Sequence, residues 1–360
     1  MNTRNSIPAS RTMVQKTKLN INDIARLAGT SKRTVSRVIN NDPNVSQKML
    51  KIVQRIIDEN DYTPSRQARA LSMRRSFLLS IIHDNPNASY VTEALYGALQ
   101  ICRPAGYELI VHPCDSSKRD TVDEILQFVA NLKIDGVILL PPVSESADLT
   151  NRLREVGCHF VRLLSARTED DAHLIYHDDG KAVNQIVSHL VELGHQEIAF
   201  IRGPENSQSA DQRFTAFRSA LANKGLDLPN NHIALGQNTF DSGIECAEWL
   251  LASNSPPTAI FANNDEMAIG AIVTAQKMGI KIPAELTVVG FDDSPQASKM
   301  WPALTTANQH VKKMAELAAQ KLIAQCNDDI ESAAAVRVSV EPTFVQRQTT
   351  DVPSSRMKRS

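Results

Sequence analysis

The chain has 360 residues, of which 42% are apolar and 22% are charged, and its formal net charge is −1. These values are typical of a globular protein with two or three domains, and they exclude a membrane-spanning class, because no apolar run approaches the roughly 18 residues that cross a bilayer. The cysteines number five and are widely spaced, which predicts neither a disulfide framework nor a zinc site and favours a cytoplasmic protein.

The amino-terminal region is basic. Residues 1–76 contain fifteen Lys or Arg and five Asp or Glu, a net charge of +10, whereas the rest of the chain carries −11. A basic arm on an acidic body predicts a nucleic-acid partner at one end of the molecule. Residues 1–17 are polar and lack a continuous apolar stretch, so we expect a disordered leader rather than a secretory signal.

Residues 18–63 predict three short helices. The segments NINDIARLA, SKRTVSRVIN and SQKMLKIVQRIIDEND each contain a residue near their start that can cap a helix, namely Asn20, Ser31 and Ser46. Each segment also places its apolar residues on one face, so the three helices can bury a shared core. Gly29 can end the first helix, and the short link to the second helix is typical of a helix-turn-helix.

A linker follows at residues 64–76. Pro64 can open a short helix, but the segment has little apolar surface to bury, and so short a helix is marginal alone in water. We therefore expect a hinge that becomes ordered only when something holds it.

From Phe77 onwards, apolar runs alternate with helical stretches. This alternation predicts an α/β architecture, in which a parallel sheet has helices on both faces, and the stretch is long enough for two similar lobes. The strand candidates are FLLSII (77–82), YELIVH (107–112), DGVILL (135–140), HFVRLL (159–164), EIAFIRG (197–203), IALG (233–236), AIFAN (259–263) and LTVVGF (286–291). The helix candidates include Val91–Cys102, Thr121–Leu132, Lys181–Leu193, Ser209–Asn223, Gly243–Leu251 and Asp265–Met278.

Several long motifs resemble one family. The segments INDIARLAGTSKRTVSRVIN and VSQKMLKIVQRIIDENDYTPSRQARAL resemble the DNA-binding headpiece and hinge of the lactose-repressor/galactose-repressor (LacI/GalR) family. IDGVILLPP, HDDGKAVNQIVSHLVELGHQEIAFIRGP, PTAIFANNDEMAIGA and LTVVGFDD then occur in the family's order. The resemblance covers about residues 18–350. It implies an all-α helix-turn-helix headpiece and a periplasmic-binding-protein-like α/β body of two doubly wound lobes.

The resemblance also implies a domain organisation. Residues 77–350 would form the effector-binding and dimerisation domain, with chain crossings between its lobes near Ser165, Leu304–Gln309 and Cys326–Ile330. The implied segments are 77–165 plus 310–326 for the N-lobe and 166–303 plus 330–350 for the C-lobe. Residues 351–360 are expected to be a disordered tail. They lack the leucine heptads of tetrameric family members, so a dimer is expected.

The second helix of the headpiece carries the candidate base contacts. A helix N-terminus in the major groove places its first side chains on base edges, and Arg and Lys match guanine O6 and N7. By resemblance, the base readers are Lys32, Arg33 and Arg37, with Ser36 beside them. The candidates for phosphate contacts, which position the protein without specifying a sequence, are Asn20, Ser31 and Thr34. A merely solvated charged helix is the alternative interpretation.

The hinge has a candidate role of its own. In the family, a short helix at this point enters the minor groove and a leucine wedges between base steps; Leu71 is the residue that matches. Such a wedge kinks the duplex at a cost of a few kcal/mol, which the contacts of the bent duplex recover. The candidates for phosphate contacts in the hinge are Arg66, Arg69, Arg74 and Arg75. Without DNA, Leu71 could instead pack on the body.

The body resembles periplasmic sugar-binding proteins, which implies a ligand in the cleft between its lobes. Arg213, in RFTAFRSAL, matches the family arginine that reaches the effector. Asn264, Asp265 and Asp292 directly follow strand candidates, at the carboxyl ends where open α/β sheets bind ligands. Donors and acceptors of these types at fixed positions suit a polyhydroxylated ligand, because each unmatched buried polar group is costly.

Three further residues are candidates for effector contact. Asn85 and Tyr90 lie after the first strand candidate and would contribute from the other lobe. Phe240 could stack on the apolar face of a sugar. Two of the candidates have an equally expected structural role, which is helix capping for Asp265 and core packing for Phe240.

Together these features predict a cytoplasmic, homodimeric, sequence-specific DNA-binding regulator. The expected role is a repressor of sugar-utilisation genes, released from a pseudo-palindromic operator by a small sugar or sugar derivative. One alternative is a corepressor-dependent regulator that binds a nucleobase or nucleoside, and another is a solute receptor that does not bind DNA. No cofactor, metal or membrane partner is expected.

An enzyme is not expected. The sequence has no G-x-S-x-G, Walker or H-E-x-x-H motif. His177, Asp178 and Asp179 could serve acid/base or metal chemistry, but the matching family motif lies at a helix start. Capping is therefore the preferred interpretation of these three residues.

Overall fold

The computed structural model describes residues 19–39, 42, 44–60, 62, 75–165, 171–205 and 207–353. The chain divides into two compact units, Met1–Ser76 and Phe77–Ser360, which we call the headpiece and the body. The predicted leader, most of the predicted hinge and the end of the tail lie outside the described residues.

The described headpiece is a small helical bundle. Its helices are α1 (Ile21–Leu27), α2 (Lys32–Ile39) and α3 (Gln47–Glu59). Asn20 and Asp23 form a capping box at the start of α1, in which each side chain accepts a bond from the other's backbone amide. Gly29, in the turn before α2, has φ +59°, a left-handed conformation that glycine adopts without strain. The buried core consists of Ile24, Ala25, Val35, Val38, Val53, Ile56 and Tyr62.

The first lobe of the body is built on a parallel sheet. Its strands are β1 (Leu78–His83), β2 (Glu108–Pro113), β3 (Gly136–Leu139), β4 (His159–Leu164), β5 (Leu174–His177) and β11 (Ser339–Val340). Over the described residues the spatial order is β11-β5-β4-β3-β1-β2. The central strands are almost wholly apolar, because helices cover both faces of the sheet.

The second lobe repeats the arrangement. The strands of its parallel sheet are β6 (Ile198–Arg202), β7 (Ile233–Leu235), β8 (Ala259–Ala262) and β9 (Thr287–Val289). Their order over the described residues is β7-β6-β8-β9. A separate antiparallel pair joins β10 (Thr306–Asn308) to β12 (Thr343–Val345). Two parallel sheets in succession confirm the predicted α/β body of two lobes.

Helices pack on both faces of each sheet. The first lobe contains α4 (Ala88–Cys102), α5 (Thr121–Leu132), α6 (Ala147–Glu155), α12 (Val311–Cys326) and α13 (Ile330–Ala335). The second lobe contains α7 (Asp179–Glu192), α8 (Gln208–Asn223), α9 (Phe240–Leu251), α10 (Asp265–Lys277) and α11 (Pro295–Lys299). Within the described ranges, no helix combines the length and the apolar character needed to cross a membrane.

The helix layers enclose four apolar cores. In the first lobe, α4 and α12 cover one face of the sheet, and α5 and α6 cover the other. In the second lobe, α9 and α10 cover one face, and α7 and α8 cover the other. Gly97 permits a close approach in the first of these layers, because a Cβ atom at this position would overlap the backbone carbonyl of Lys312 in α12.

The first crossing between the lobes lies later than predicted. Residues 166 onwards were expected in the C-lobe, but β5 pairs in parallel with β4, so that Leu163 lies opposite Ile175. The first lobe therefore extends to His177, and the crossing lies between His177 and Asp179. The short β5 strand lacks a strong local pattern and forms because β4 offers it a free edge.

The third crossing also differs from the prediction, and the second lies at the end of the predicted segment. Ser339 lies opposite Tyr176 in the first sheet, and β12 pairs with β10 in the second lobe. The third crossing therefore lies at Glu341–Pro342 and not at Cys326–Ile330, because β11 closes the edge of the first sheet before the chain returns. The second crossing joins β10 to α12, directly after the predicted segment Leu304–Gln309.

Candidate functional site

The first turn of α2 presents cations to solvent. Lys32 and Arg33 are exposed, whereas Val35 and Val38 point into the headpiece core. Ser31 caps the helix, since its Oγ accepts from the amide of Thr34 at 3.1 Å. The helix therefore offers two long basic side chains beside its own positive end, an arrangement suited to the edge of a nucleic-acid groove.

Arg37, the third predicted base reader, has an internal partner. Its Nε donates to Oδ2 of Asp42 at 2.7 Å, and this bond lowers the pKa of Asp42 to about 2. The Arg37 side chain remains 41% exposed. A base contact from Arg37 would therefore use the outer face of a guanidinium that Asp42 already holds.

The predicted phosphate contacts and hinge residues are only partly described. Asn20 uses its side chain to cap α1, and Ser31 and Thr34 bond to each other at the start of α2. Arg66, Arg69, Arg74 and Leu71 lie outside the described residues, so their predicted roles remain predictions from the sequence.

A small polar cavity of about 60 Å³ lies between the two lobes of the body. It is formed where the carboxyl ends of strands from both sheets face each other, as expected for ligand sites in open parallel sheets. The first lobe contributes Asn85, Asn87, Tyr90, Pro141, Ser165 and His177. The second lobe and its crossing contribute Ser209, Arg213, Asn238, Asn264, Asp292 and Gln309.

Arg213 is the central cation of this cavity. Its Nε donates to Oδ2 of Asp179 at 2.6 Å, its Nη1 donates to the carbonyl of Asn263 at 2.7 Å, and its guanidinium lies 4.1 Å from the ring centroid of Phe291. Burial by itself would lower the pKa of Arg213, but the carboxylate of Asp179 raises it above its usual value. The guanidinium is thus fixed and charged, and it lines the cavity.

Asp179 joins Arg213 to the first lobe. Its Oδ1 lies 2.5 Å from Nδ1 of His177 at the end of β5. Burial would raise the pKa of Asp179, but Arg213 and His177 together lower it. The expected capping role is therefore wrong for Asp179, which is buried and pairs with Arg213, and Asp178 makes no side-chain cap.

Asp292 supplies an acceptor on the opposite side of the cavity. Its carboxylate accepts from Nδ2 of Asn87 at 3.0 Å and from the side-chain amide of Gln309. Burial raises the pKa of Asp292 well above its usual value; Arg213 opposes this, and the carboxylate of Asp265 adds to it. Its φ of +130° is strained for a non-glycine residue, which indicates that the surrounding contacts hold the loop in place.

Tyr90 has an unused hydroxyl in the cleft. Its side chain is 8% exposed, and the hydroxyl has no hydrogen-bond partner among the described residues. Burial raises the pKa of Tyr90, so the hydroxyl stays protonated. A ligand hydroxyl could satisfy this group, which would otherwise carry the cost of an unpaired buried polar atom.

Comparison with known proteins identifies the family. A model described as "Bacterial regulatory proteins, lacI family" matches residues 20–65, and a "Periplasmic binding protein-like domain" model matches residues 187–350. The chain is 31% identical to the probable HTH-type transcriptional repressor ExuR of Bacillus subtilis (strain 168) over 309 residues, which are 84% of this chain and 90% of that protein. The chain belongs to the LacI family of bacterial regulators. The ribose operon repressor of Escherichia coli (strain K12) is 29% identical, with coverage of 84% and 91%.

Solved structures show the same architecture. A lac repressor dimer bound to operator and the anti-inducer ONPF has a TM-score of 0.75 at 24% identity, covering 93% of this chain and 100% of that chain. A complex of the transcriptional regulator CelR with cellobiose has a TM-score of 0.68 at 25% identity, covering 92% and 99%. The family membership and the headpiece-plus-body fold predicted from the motifs are confirmed. This LacI-family chain is a DNA-binding transcriptional regulator.

The structure separates the predicted effector residues of this LacI-family chain into two groups. The cavity is lined by five of them: Asn85, Tyr90, Arg213, Asn264 and Asp292. Asp265 and Phe240 are not among the lining residues. Asp265 is fully buried and accepts from the amide of Ser294 at 2.7 Å and from Oγ1 of Thr306 at 2.6 Å. It thus holds the loop that carries Asp292, and it is Asn264 that caps α10.

Sequence reasoning missed several lining residues of the LacI-family cleft. Asn87 lies two residues after the predicted Asn85, and its Oδ1 caps α4 while its Nδ2 reaches Asp292. His177 belongs to the HDDG motif, for which the sequence favours a helix start. Only the identification of β5 as a strand would have placed His177 at the carboxyl edge of the first sheet.

Proposed function

We propose that this LacI-family regulator is a homodimeric repressor that a small sugar or sugar derivative releases from its operator. The observation that carries the proposal is the chemistry of the cleft between the lobes. Arg213 supplies fixed donors, Asp292 a fixed acceptor and Tyr90 an unsatisfied hydroxyl, all in one cavity between the lobes. Adjacent hydroxyl groups that both donate and accept are the ligand groups that match such a set.

The charge in the cleft supports an uncharged ligand. Asp179 already neutralises Arg213, and the raised pKa of Asp292 opposes a fixed negative charge in the same cavity. A nucleobase corepressor, the alternative ligand, would benefit from stacking between aromatic rings. Among the described lining residues, Tyr90 is the one member of the Phe, Tyr and Trp set, which favours a sugar.

The headpiece supports operator binding by Lys32, Arg33 and Arg37. All three lie on α2, and the first two project from its amino-terminal turn. We propose that Leu71 in the hinge wedges between central base steps and that Arg66 and Arg69 contact phosphates, as the sequence predicts. Two headpieces in a dimer would then read a pseudo-palindrome with half-sites about 34–36 Å apart.

The proposed role places the protein in the cytoplasm, with DNA and a sugar as partners and no catalytic step. Effector binding changes the preferred angle between the lobes and so the fraction of molecules whose two hinges fit the operator. Such coupling is typically worth about 1–3 kcal/mol. Two similar proteins, a ribose operon repressor and a regulator solved in complex with cellobiose, support this role.

Two measurements test the proposal. Selection of bound duplexes from a random pool should return a palindrome with a flexible pyrimidine–purine step at its centre, where Leu71 would insert. A thermal-shift screen of sugars and purines, followed by operator titration with the best ligand, should identify a sugar that weakens operator binding. If a purine tightens operator binding instead, the result would favour a corepressor-dependent regulator over an inducible repressor. The absence of any sequence preference would refute the DNA-binding role.

A further inference from the structure

A glutamate of the first lobe bridges the cleft to the second lobe. Glu145 ends a 3-10 turn, Val143–Glu145, that follows β3. Its two carboxylate oxygens accept from the backbone amides of Gln208 at 2.9 Å and Ser209 at 3.3 Å. Both amides belong to the first turn of α8, where no intrahelical acceptor exists for them. Glu145 therefore accepts hydrogen bonds from the main chain of the opposite lobe.

The helix that Glu145 holds also carries part of the cavity wall. Ser209 and Arg213 on α8 both line the cavity, whereas Glu145 does not. A rotation of α8 away from Glu145 would move the guanidinium of Arg213 away from Tyr90 and Asn85 in the first lobe. The distance between the donors of the second lobe and the groups of the first lobe thus depends on this bridge.

We propose that Glu145 is a positioning residue for effector binding, which holds α8 and Arg213 against the first lobe without touching the effector. The inference rests on the proposed function, because it concerns the regulation of the same cleft. In this proposal, the hydrogen bonds from Gln208 and Ser209 to Glu145 are among the contacts that stabilise the closed arrangement of the lobes.

Opposing effects act on the carboxylate of Glu145 in the bridge. Burial raises the pKa of Glu145, and the amides of Gln208 and Ser209 offset part of that cost. Among the charges on α8, Arg213 stabilises the carboxylate and Asp211 opposes it. Closing the lobes over an ionised Glu145 therefore costs desolvation that its hydrogen bonds only partly recover.

Other contacts across the cleft accompany the bridge. Ser165 Oγ donates to Oε1 of Gln212 on α8 at 2.5 Å, and Ser89 Oγ donates to Oε1 of Gln296 at 3.3 Å. Both join one side chain to another. Glu145 instead meets two main-chain amides of a helix terminus, so its bonds report directly on the position of α8.

The test compares three full-length variants, Glu145→Ala, Glu145→Gln and Asp148→Ala. Asp148 is an exposed carboxylate three residues further along the same segment and serves as the matched control. The probes are D-ribose, D-galactose, D-glucose and cellobiose, titrated by calorimetry. We expect Glu145→Ala to lower the affinity for the best-binding sugar about tenfold, because two hydrogen bonds from backbone amides are lost from the closed state. We also expect it to shift operator affinity in the direction opposite to the effect of that sugar.

Glu145→Gln distinguishes the hydrogen-bond acceptor of Glu145 from its negative charge. Its side-chain carbonyl can still accept from one amide without burying a charge, so we expect it to retain sugar affinity within about threefold of the parent. Asp148→Ala should match the parent in every measurement. A Glu145→Ala variant that binds sugar and operator as Asp148→Ala does would overturn the proposal.

A measurement without ligand keeps the two hypotheses apart. Hydrogen exchange of the unliganded chain should be faster at the amides of Gln208 and Ser209 and across the first turn of α8 in Glu145→Ala, and solution scattering should show a larger radius of gyration. If these changes occur but none of the sugars binds any variant, the proposed effector class fails and the bridge stands. If exchange and scattering do not change, the bridge is refuted whether or not a sugar binds.

Discussion

The carboxylate of Asp179 lies 2.6 Å from Nε of Arg213, and both side chains are buried between the lobes of the body. The pair adjoins the crossing between the lobes, since Asp179 begins α7 two residues after β5 ends. A buried ion pair of this kind is costly to break, because removal of one partner leaves the other charge desolvated and uncompensated.

Substitution Arg213→Ala should therefore impair both stability and effector response. We expect the free energy of unfolding to fall by about 3–5 kcal/mol and sugar binding to be lost. The double variant Arg213→Ala/Asp179→Asn should lose less free energy of unfolding than the sum of the two single variants, because Asp179→Asn removes the buried charge that Arg213→Ala leaves unpaired. Urea denaturation of the two single variants and the double variant measures this. Arg152→Ala, which breaks an exposed pair with Asp123, should cost less than about 1 kcal/mol.

Arg33 at the start of α2 should contribute to base recognition. We expect Arg33→Ala to weaken binding to the selected operator by about 1–3 kcal/mol and to relax the preference at one base pair in each half-site. Fluorescence anisotropy with operator and single-base variants checks both effects. Arg55→Ala is the matched control, since Arg55 is an exposed arginine on α3 that pairs with Glu59. Equal losses for the two variants would indicate a general electrostatic effect.

The pH dependence of stability should carry a contribution from Asp265. Burial raises the pKa of Asp265 to about 6, and the neighbouring Asp293 adds to this, whereas bonds from Thr306 and Ser294 oppose it. A carboxyl whose pKa is higher in the folded state binds its proton more tightly there. The contribution of Asp265 to the free energy of unfolding is therefore stabilising at low pH. This contribution is lost as pH rises from about 4 to about 6.

Asp265→Asn removes that titration while keeping an acceptor oxygen for Ser294. Relative to the variant, the parent should lose roughly 2–3 kcal/mol of stability between pH 4 and pH 6.5. Chemical denaturation of both proteins across this range gives the difference curve. A flat difference curve would show that Asp265 does not titrate in this window.

Gly97 in α4 should not tolerate a side chain. A Cβ atom there would overlap the backbone carbonyl of Lys312, so the two helices would have to separate. We expect Gly97→Ala to lower the free energy of unfolding by about 2–3 kcal/mol, despite the better helix propensity of alanine. The control is Gly180→Ala in α7, where the nearest atom is a movable side-chain oxygen of Asp178 at 3.1 Å. That variant should change stability by less than about 1 kcal/mol, as thermal denaturation would show.

Local signals in the sequence predicted much of the fold. The three headpiece helices were predicted from caps and apolar spacing, and all eight strand candidates correspond to strands of the structure. In these segments, short-range pattern and long-range packing favour the same conformation. The missed strands β5, β10, β11 and β12 are short, and they form only because a distant strand provides hydrogen-bonding partners.

The cleft was predicted less completely. Arg213 was identified by resemblance, and Asn264 and Asp292 were identified because each directly follows a strand. Asn87 and Asp292 are 205 residues apart in the chain, so nothing near either residue indicates their contact. The same reason explains why the bridge from Glu145 to α8 was not foreseen.

By itself the sequence determined a basic helix-turn-helix headpiece followed by an α/β body, because charge, capping and hydrophobic period are local properties that need no neighbour. The tertiary structure decided which side chains share the cleft and where the chain crosses between the lobes. It also decided that Asp179 pairs with Arg213 rather than capping a helix. The strength of these contacts depends on burial and on partners far along the chain, and both exist only once the sheets have formed.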